Sequence, residues 1–596
     1  MNSTQAAVEG KTKYARDAWL RALAKTANLA EQGVILPQVI DRLAVQFGSQ
    51  PALKDTRASF DFRHLAERVN QYARFAVAQG IGAGDSVALY MNNCVEYVAI
   101  WLGLTRAGVT VALLNSQLQG EVLAHSINIA NPKLLIAGAD LASRIAAIRG
   151  ALAPQLREFI LGEGGARSLD DEVAQCSTDG IGAEIAVPSI DSIALYIYTS
   201  GTTGMPKAAK VSHHRLMQWS HWFAGMMDTK PADRMFNSLP LYHSVGGVVA
   251  TFAPLVNGGS VVIRPRFSAS DFWRDVAAER CTLFQYIGEL CRYLVNSPPQ
   301  AAETEHVLRL ACGNGLRPEV WSEFQERFRI ERILEYYAST EGNFSLYNCE
   351  GQIGAIGRIP KFVAARLPVA LLRFDVEAGQ PLRNAQGLCE SCAVDEVGEA
   401  VGRIPKGAER GGRFEGYADT EASERKVLRD VFEVGDAWYR TGDLMRRDAQ
   451  GFYYFVDRIG ETYRWKGENV STAEVLSVLA AIPGVRDGVV YGVSVPGYDG
   501  RAGMAALVVD QQFDLAKFRA AAAAGLPAYA RPVFLRLISS LETTGTFKPR
   551  KQDLLAAGFD PAVINDPLYF DDARARAYIP LDAALFGAIG GGGLRL

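Results

Sequence analysis

Apolar residues recur along this chain in two rhythms, and their alternation predicts the architecture. Between His64 and Gly80, residues Leu65, Val69, Tyr72 and Phe75 fall three or four apart, the spacing of one helix face, and Gly80 supplies a stop. This stretch is expected to form an amphipathic surface helix. Short apolar runs, among them Ser86-Val-Ala-Leu-Tyr90, Val109-Thr-Val-Ala-Leu-Leu114 and Lys133-Leu-Leu-Ile-Ala137, have the length and composition of buried strands. Helical and strand-like stretches alternate from Leu36 to Ile263, which predicts layered α/β units around a partly parallel sheet. Between Arg366 and Arg403, Gly379, Gly387 and Gly398 punctuate short apolar pieces, so a β-rich subdomain is expected there.

After Asp457-Arg458 a polar stretch containing glycine precedes a new compact α/β pattern. That places a domain boundary at Ile459 or Gly460, dividing the chain into 1–458 and 459–596. The alanine run Ala520 to Ala524 suits a helix interior, and Gly590 to Gly593 suit a frayed tail. Val245 to Ile263 is a long charge-free apolar segment, but Pro254, Asn257, Gly258 and Gly259 interrupt it. It is expected to be helix, turn and buried strand, which leaves peripheral membrane contact open but not a spanning helix. No internal repeat is visible.

A length of 596 residues exceeds one ordinary hydrophobic core, in keeping with two domains. With 48% hydrophobic and 21% charged residues, the chain suits a packed globular protein. A net charge of −3 argues against a nucleic-acid-binding surface, so any anionic ligand must be met by local donors. Cys389 and Cys392 form a Cys-x-x-Cys pair, but no second pair or nearby histidine completes a zinc pattern among the eight cysteines. Incidental loop thiols, redox use and metal use all remain open for them, and no role is assigned. A reducing, cytoplasmic setting is expected, with no secretory leader at the N-terminus.

The strongest chemical signal is Tyr196-Ile-Tyr198 running into Thr199-Ser-Gly-Thr-Thr-Gly-Met-Pro-Lys207. An apolar strand here opens into a loop suited to phosphate. Gly201 and Gly204 let backbone N–H groups approach an oxyanion, Thr199, Ser200, Thr202 and Thr203 add hydroxyl donors, and Lys207 adds charge. The Gly-Lys-Ser/Thr ending of a Walker-type P-loop is absent.

This loop resembles the signature of the superfamily that contains acyl-CoA synthetases, peptide-synthetase adenylation domains and luciferases. Tyr337-Ala-Ser-Thr-Glu341 is similar to that family's aromatic-Gly-x-Thr-Glu segment, with Ala338 in place of glycine. The resemblance implies that Tyr337 packs on adenine, Thr340 meets the α-phosphate and Glu341 holds Mg²⁺. Tyr439-Arg-Thr-Gly-Asp443 resembles the element whose aspartate accepts hydrogen bonds from both ribose hydroxyls. Phe455-Val-Asp-Arg458 resembles the interdomain hinge, whose arginine also reaches the ribose, with Gly460 where relatives often carry a charged pivot. Thr544-Gly-Thr-Phe-Lys548 stands where the family places its catalytic lysine, with Lys466 and Lys551 as competitors.

A narrower resemblance, to fatty acid transport proteins and very-long-chain acyl-CoA synthetases, runs from about Leu36 to Pro580. It rests on residues 457–472 (Asp-Arg-Ile-Gly-Glu-Thr-Tyr-Arg-Trp-Lys-Gly-Glu-Asn-Val-Ser-Thr), Gln285-Tyr-Ile-Gly-Glu-Leu-Cys-Arg-Tyr-Leu294, Gly313-Asn-Gly-Leu316 and Gly500-Arg-Ala-Gly-Met504. The implied fold is a large N-terminal adenylate-forming domain, with layered α/β subdomains and a β-rich subdomain, followed by a small mobile C-terminal α/β domain. The implied reaction joins a long fatty acid to CoA through an acyl-adenylate, with ATP and CoA as co-substrates and Mg²⁺ as the metal.

In that reaction Lys548, Thr340, Glu341 and His243 are the expected catalytic residues. Residues 199–204, Lys207, Gly313, Tyr337, Asp443 and Arg458 are the expected nucleotide contacts. Pro240-Leu-Tyr-His243-Ser precedes the expected acyl-pocket wall, where Gly246, Gly247 and Ala250 leave room for a chain. His213 and His214 are expected on the solvent side. Arg464, Trp465 and Lys466 are expected on a face that turns toward CoA after adenylation. A homodimer and peripheral contact with the inner face of the cell membrane are compatible with this reading. Its rivals are a ligase for bile-acid-like or sterol side-chain acids, a membrane-associated uptake protein in which ligation is secondary, and a ligase loading a separate carrier protein.

Overall fold

The computed structural model describes residues 3–163, 167–200, 205–376, 378–406, 412–466, 468–496, 498, 500–543 and 550–590. Two large sheets dominate the first three quarters of the chain. One has six strands in the spatial order Arg157–Leu161, Leu134–Gly138, Ser86–Tyr90, Thr110–Leu113, Ile193–Ser200 and Pro206–Ser212, of which the first five are parallel and the last antiparallel. The expected runs at 86–90, 109–114 and 133–137 are thus neighbouring parallel strands. Covered on both faces, such strands need no polar alternation, and Ser86–Tyr90 and Leu134–Gly138 are buried throughout.

The second sheet has fifteen strands. Its parallel core runs Ile333–Ala338, Leu310–Asn314, Leu283–Ile287, Arg234–Asn237, Ser260–Ile263 and Pro51–Lys54. Beyond Ile333–Ala338 it becomes antiparallel through Ser345–Asn348, Gly357–Arg358, Phe452–Arg458, Ala437–Arg447, Gly398–Arg403 and Val369–Asp375. The expected β-rich region, 366–403, supplies Val369–Asp375 and Gly398–Arg403 to this antiparallel wing, which extends well beyond it.

The helix expected from His64 spans Phe62–Ala78, capped by the Asp61 carboxylate on the His64 N–H, with Gly80 at φ +71° beyond its end. It is more deeply packed than a surface helix. Tyr72 is fully buried against Val95–Arg106, where a side chain on Gly103 would overlap Tyr72 Cβ. Val245–Ile263 is helix, turn and strand as the interrupting residues predict, although its first turn, Ser244–Val249, is a π-helix. Ala520 to Ala524 lie within the helix Leu515–Gly525.

The last quarter of the chain forms a separate hydrophobic cluster around a five-stranded sheet, Val485–Val493, Ala502–Val509, Phe534–Ile538, Leu568–Asp572 and Ala577–Pro580. Between the two cores, residues 457–472 close on themselves. Asp457 Oδ2 accepts from the Thr472 N–H at 2.6 Å and its hydroxyl at 3.0 Å, and Ser471 Oγ donates to the Val456 carbonyl. Gly460, at φ +92°, sits in the turn where this clasp leaves the large sheet. No helix of the described residues is long and apolar enough to cross a membrane.

Candidate active site

Ligand crevices of open α/β sheets form beyond the carboxyl ends of the parallel strands, and the motifs at 199–207 and 337–341 stand at such ends, one on each large sheet. Ile193–Ser200 and Pro206–Ser212 pair so that Thr199 lies opposite Lys207, forming the two lips of the glycine-threonine loop. Residues 201–204 and the Ser200 side chain, expected to bind phosphate, lie outside the described residues, as do Lys548 and the rest of 544–549.

Lys207 Nζ stands 5.8 Å from the centre of the Tyr417 ring. Tyr417 in turn donates from its hydroxyl to Glu341 Oε1 at 2.9 Å. Burial, with the Glu341 carboxylate beside it, raises the Tyr417 pKa well above the ordinary phenol value, so the hydroxyl keeps its proton as a donor. Thr340 Oγ1 is 2.9 Å from Ser244 Oγ, and the Thr340 carbonyl accepts from Arg215 at 3.0 Å. These contacts join the Tyr337–Glu341 segment to the loop that carries His243.

On the other side of the cleft, Tyr337 donates to Asp443 Oδ2 at 2.6 Å. Asp443 and Arg458 face each other in register on neighbouring strands, with Arg458 Nε 3.5 Å from Asp443 Oδ1. The carboxylate expected to meet a ribose is therefore held between a phenol and a guanidinium. Gly313 lies in the strand Leu310–Asn314, where a Cβ would overlap the Tyr286 backbone and ring, so packing alone already requires glycine there.

Behind that strand Glu335 is fully buried. Its carboxyl accepts from Tyr286 Oη at 2.5 Å and from the Gly315 and Leu316 N–H groups at 2.5 and 3.2 Å. Burial pushes its pKa up to about 8 against those hydrogen bonds. Gly288 approaches the same turn so closely that a Cβ would overlap the Gly315 carbonyl. The 285–294 and 313–316 motifs thus form one packed unit.

Several expectations are corrected. Gly246 and Gly247 leave no room for a chain, because a Cβ on either would overlap the Pro240 or Leu241 carbonyl, and Ala250 is fully buried. Glycine serves there to let the π-helical turn press onto the preceding loop. His213 is not on the solvent side. It begins the helix His213–Met226 almost fully buried, and desolvation lowers its pKa to about 4, so it is neutral. Trp465 does not present a free face either, being 1% exposed within the small core and 5.5 Å from the Tyr498 ring. Of the competing lysines, Lys551 is paired with Glu461 at 2.6 Å, and Lys466 is exposed at the tip of the 463–470 hairpin.

Two features carry no sequence motif of their own. A cavity of about 900 Å³ lies between the two large sheets, lined by Arg57, Asn92, Arg144, Ser238, Tyr242 and Arg266 among others. Pro240 and Tyr242 face this cavity, while Ser244 meets Thr340, so the 240–244 loop partitions cavity from cleft. The second feature is Lys426, whose ammonium enters the cleft beside Tyr439.

Comparison with known proteins agrees with this arrangement. The family model described as AMP-binding enzyme matches residues 40–389, and that of the AMP-binding enzyme C-terminal domain matches 474–548. Human long-chain fatty acid transport protein 1 is 39% identical over 95% of this chain and 88% of its own length. Mouse long-chain fatty acid transport protein 6 is 40% identical over 89% and 86%. Among solved structures, the anthranilate CoA ligase AuaEII with anthranoyl-AMP superposes with a TM-score of 0.76 at 21% identity, covering 88% of this chain and 97% of that one. ATP-bound MatB from Rhodopseudomonas palustris gives 0.73 at 24%, covering 87% and 98%. The chain shares the fold of these ligases and belongs to the AMP-binding enzyme family, within it to the long-chain fatty acid transport proteins.

Proposed function

We propose that the protein is an AMP-forming long-chain fatty acyl-CoA ligase, with residues 1–458 as the adenylating domain and 459–596 as a small domain carrying the catalytic Lys548. The observation that supports this most is the convergence on one cleft, from the ends of both large sheets, of Thr199 and Lys207, the Tyr417–Glu341 pair, Thr340 and the Tyr337–Asp443 pair.

In this reading Tyr337 flanks adenine, and Asp443 exchanges its bond to Tyr337 for the ribose hydroxyls while Arg458 stays beside it. Thr340 donates to the α-phosphate, and Lys207, with residues 199–204, holds the outer phosphates. The fatty carboxylate attacks the α-phosphorus in line, and the bond to pyrophosphate breaks. Both reactants are anions, so charge neutralisation by Lys207 and Lys548 is the main aid to this step. The CoA thiolate then attacks the acyl carbonyl, releasing AMP and the thioester.

Mg²⁺ would neutralise phosphate charge. Among the described residues no three His, Cys, Asp or Glu side chains gather as a cage, so Glu341 together with phosphate oxygens and water would hold it, the mode Mg²⁺ favours. His243, at the start of the π-helix and beside the Thr340–Ser244 contact, is suited to the reacting carboxylate.

Purified protein supplied with ATP, Mg²⁺, CoA and acids of graded length tests the reading. Thioester mass and AMP release should be greatest with long chains. A preference for sterol-type acids would overturn the substrate assignment, and no AMP with any acid would overturn the reaction. The names of the relatives favour one second reading, uptake at a membrane coupled to esterification. It predicts that uptake is lost together with ligation in a Lys548→Ala variant.

A further inference from the structure

Lys426 lies between the short helix Thr420–Glu424 and the strand Val427–Arg429, which pairs with Ala437–Arg447 so that Val427 faces Tyr439. This pairing aims the lysine along the strand that carries Asp443. Its Nζ donates to the Thr441 carbonyl at 3.0 Å and stands 5.7 Å from the centre of the Tyr439 ring. Among the described residues that is its one hydrogen bond, and no carboxylate lies within ion-pairing distance. Two of its three N–H donors are therefore available to a ligand.

The nearby carboxylates are all engaged elsewhere. Glu399 is clamped by Arg440 at 2.7 and 3.0 Å, Glu341 accepts from Tyr417, and Asp443 accepts from Tyr337. Burial, helped by Lys207, lowers the Lys426 pKa from the ordinary amine value, and Glu341 and Asp443 are the charges that most strongly favour the protonated amine against it. Two lysines thus converge on one shielded cleft, each over the ring of a buried tyrosine. Like charges brought together out of water cost stability unless an anion joins them.

The proposed function puts Asp443 at the ribose and Glu341 at the phosphates, and the group that links these two parts of a nucleotide is the α-phosphate. Resting on that reading, we propose that Lys426 is a further nucleotide-binding residue that donates to the α-phosphate from the side opposite Thr340. It would hold that group while the fatty carboxylate oxygen bonds to phosphorus and pyrophosphate leaves, and stay with it when AMP leaves in the thioester step.

Calorimetric binding of adenosine, AMP and ATP to the full chain tests this with Lys426→Met, Lys426→Gln and Lys426→Arg. Adenosine reports the adenine and ribose contacts, and AMP adds the α-phosphate. A charge-assisted hydrogen bond predicts that both neutral variants lose about 10- to 150-fold in AMP and ATP affinity. Adenosine affinity should stay within about 2-fold, and Lys426→Arg should recover part of the loss. Pyrophosphate exchange should fall about 10²-fold in the neutral variants. Equal losses for adenosine and AMP would overturn the assignment by making Lys426 a prop for the Thr441–Asp443 turn, and unchanged AMP affinity would overturn it as well. Failure of the unaltered protein to bind AMP at all would remove the proposed function together with this assignment, which separates the two cases.

Discussion

The nucleotide cleft and the joint between the two cores are built in opposite ways. In the cleft, the side-chain hydrogen bonds made by the Tyr337–Glu341 segment join residues far apart in the chain: Tyr337 to Asp443 across 106 positions, Ser244 to Thr340 across 96, and Tyr417 to Glu341 across 76, while Asp443 meets Arg458 across 15. At the joint, Asp457 reaches Thr472 only 15 positions on, and the clasp so formed is a local fold. A long-range clamp then fastens the small domain. Arg292, held by Glu289, donates to the Arg486 carbonyl at 2.9 Å and to Asp487 at 2.7 Å. The broad-family motifs thus end in the cleft, whereas the narrower motifs at 285–294, 457–472 and 500–504 build packing around the joint. Trp465 meets Gly500, a side chain on Gly503 would overlap the Tyr463 hydroxyl, and Arg501 donates to the Thr462 carbonyl.

If this division holds, substitutions in the cleft should damage chemistry and those at the joint should damage the balance between half-reactions. The largest expected effect is that of Lys548→Ala, a fall of about 10²–10³ in adenylation with thioester formation from supplied acyl-adenylate largely kept. Single-turnover assays of each half-reaction check this, and equal losses in both would end the contrast. Arg292→Ala removes a charge-assisted pair worth about 1.5–3 kcal/mol. It should loosen the small domain and change the ratio of the two half-reaction rates about 10-fold or more, while ATP affinity stays near that of the unaltered protein. A loss confined to ATP affinity would move Arg292 from the joint to the cleft.

Gly288→Ala sharpens the comparison because it lies in a joint motif yet presses on the 313–316 turn of the cleft. The new methyl must displace the Gly315 carbonyl. A cost of about 1–3 kcal/mol in stability is expected, together with a raised KM for ATP, by melting and steady-state kinetics. Behind the cleft, Glu335 should make stability depend on pH. Its folded pKa, near 8, lies above the ordinary carboxyl value, so between about pH 4.5 and 8 the folded state binds more protons than the unfolded state. Stability contributed by the protonated acid is complete below that window and lost as pH rises through it, at up to about 1.4 kcal/mol per pH unit. Melting temperatures from pH 5.5 to 8 should fall less steeply in Glu335→Gln, and parallel curves would show that the group does not titrate there.

Much of the cleft was legible because its residues sit in short runs with unusual composition, such as 199–207 and 337–341, where glycine, hydroxyls and charge occur together. Lys426 was not legible. It follows an ordinary helical stretch, Thr420–Glu424, and nothing nearby distinguishes it from a solvated lysine. Only the pairing of Val427–Arg429 with Ala437–Arg447 turns it inward. Gly246 and Gly247 misled for the same reason, since a small residue can mean space for a ligand or close approach of backbone. Trp465 beside Arg464 and Lys466 suggested an outward aromatic, but hairpin alternation points it into the small core.

The sequence by itself determined the element types, the parallel strands, the phosphate-loop chemistry and the family, because each depends on local periodicity or on residues within one short run. Tertiary structure alone decided which carboxylates are already engaged, which glycines are crowded, how Arg292 fastens the second core and why two lysines meet in one cleft. Those properties depend on desolvation and on contacts between segments tens to hundreds of residues apart, and neither quantity exists until the sheets have paired.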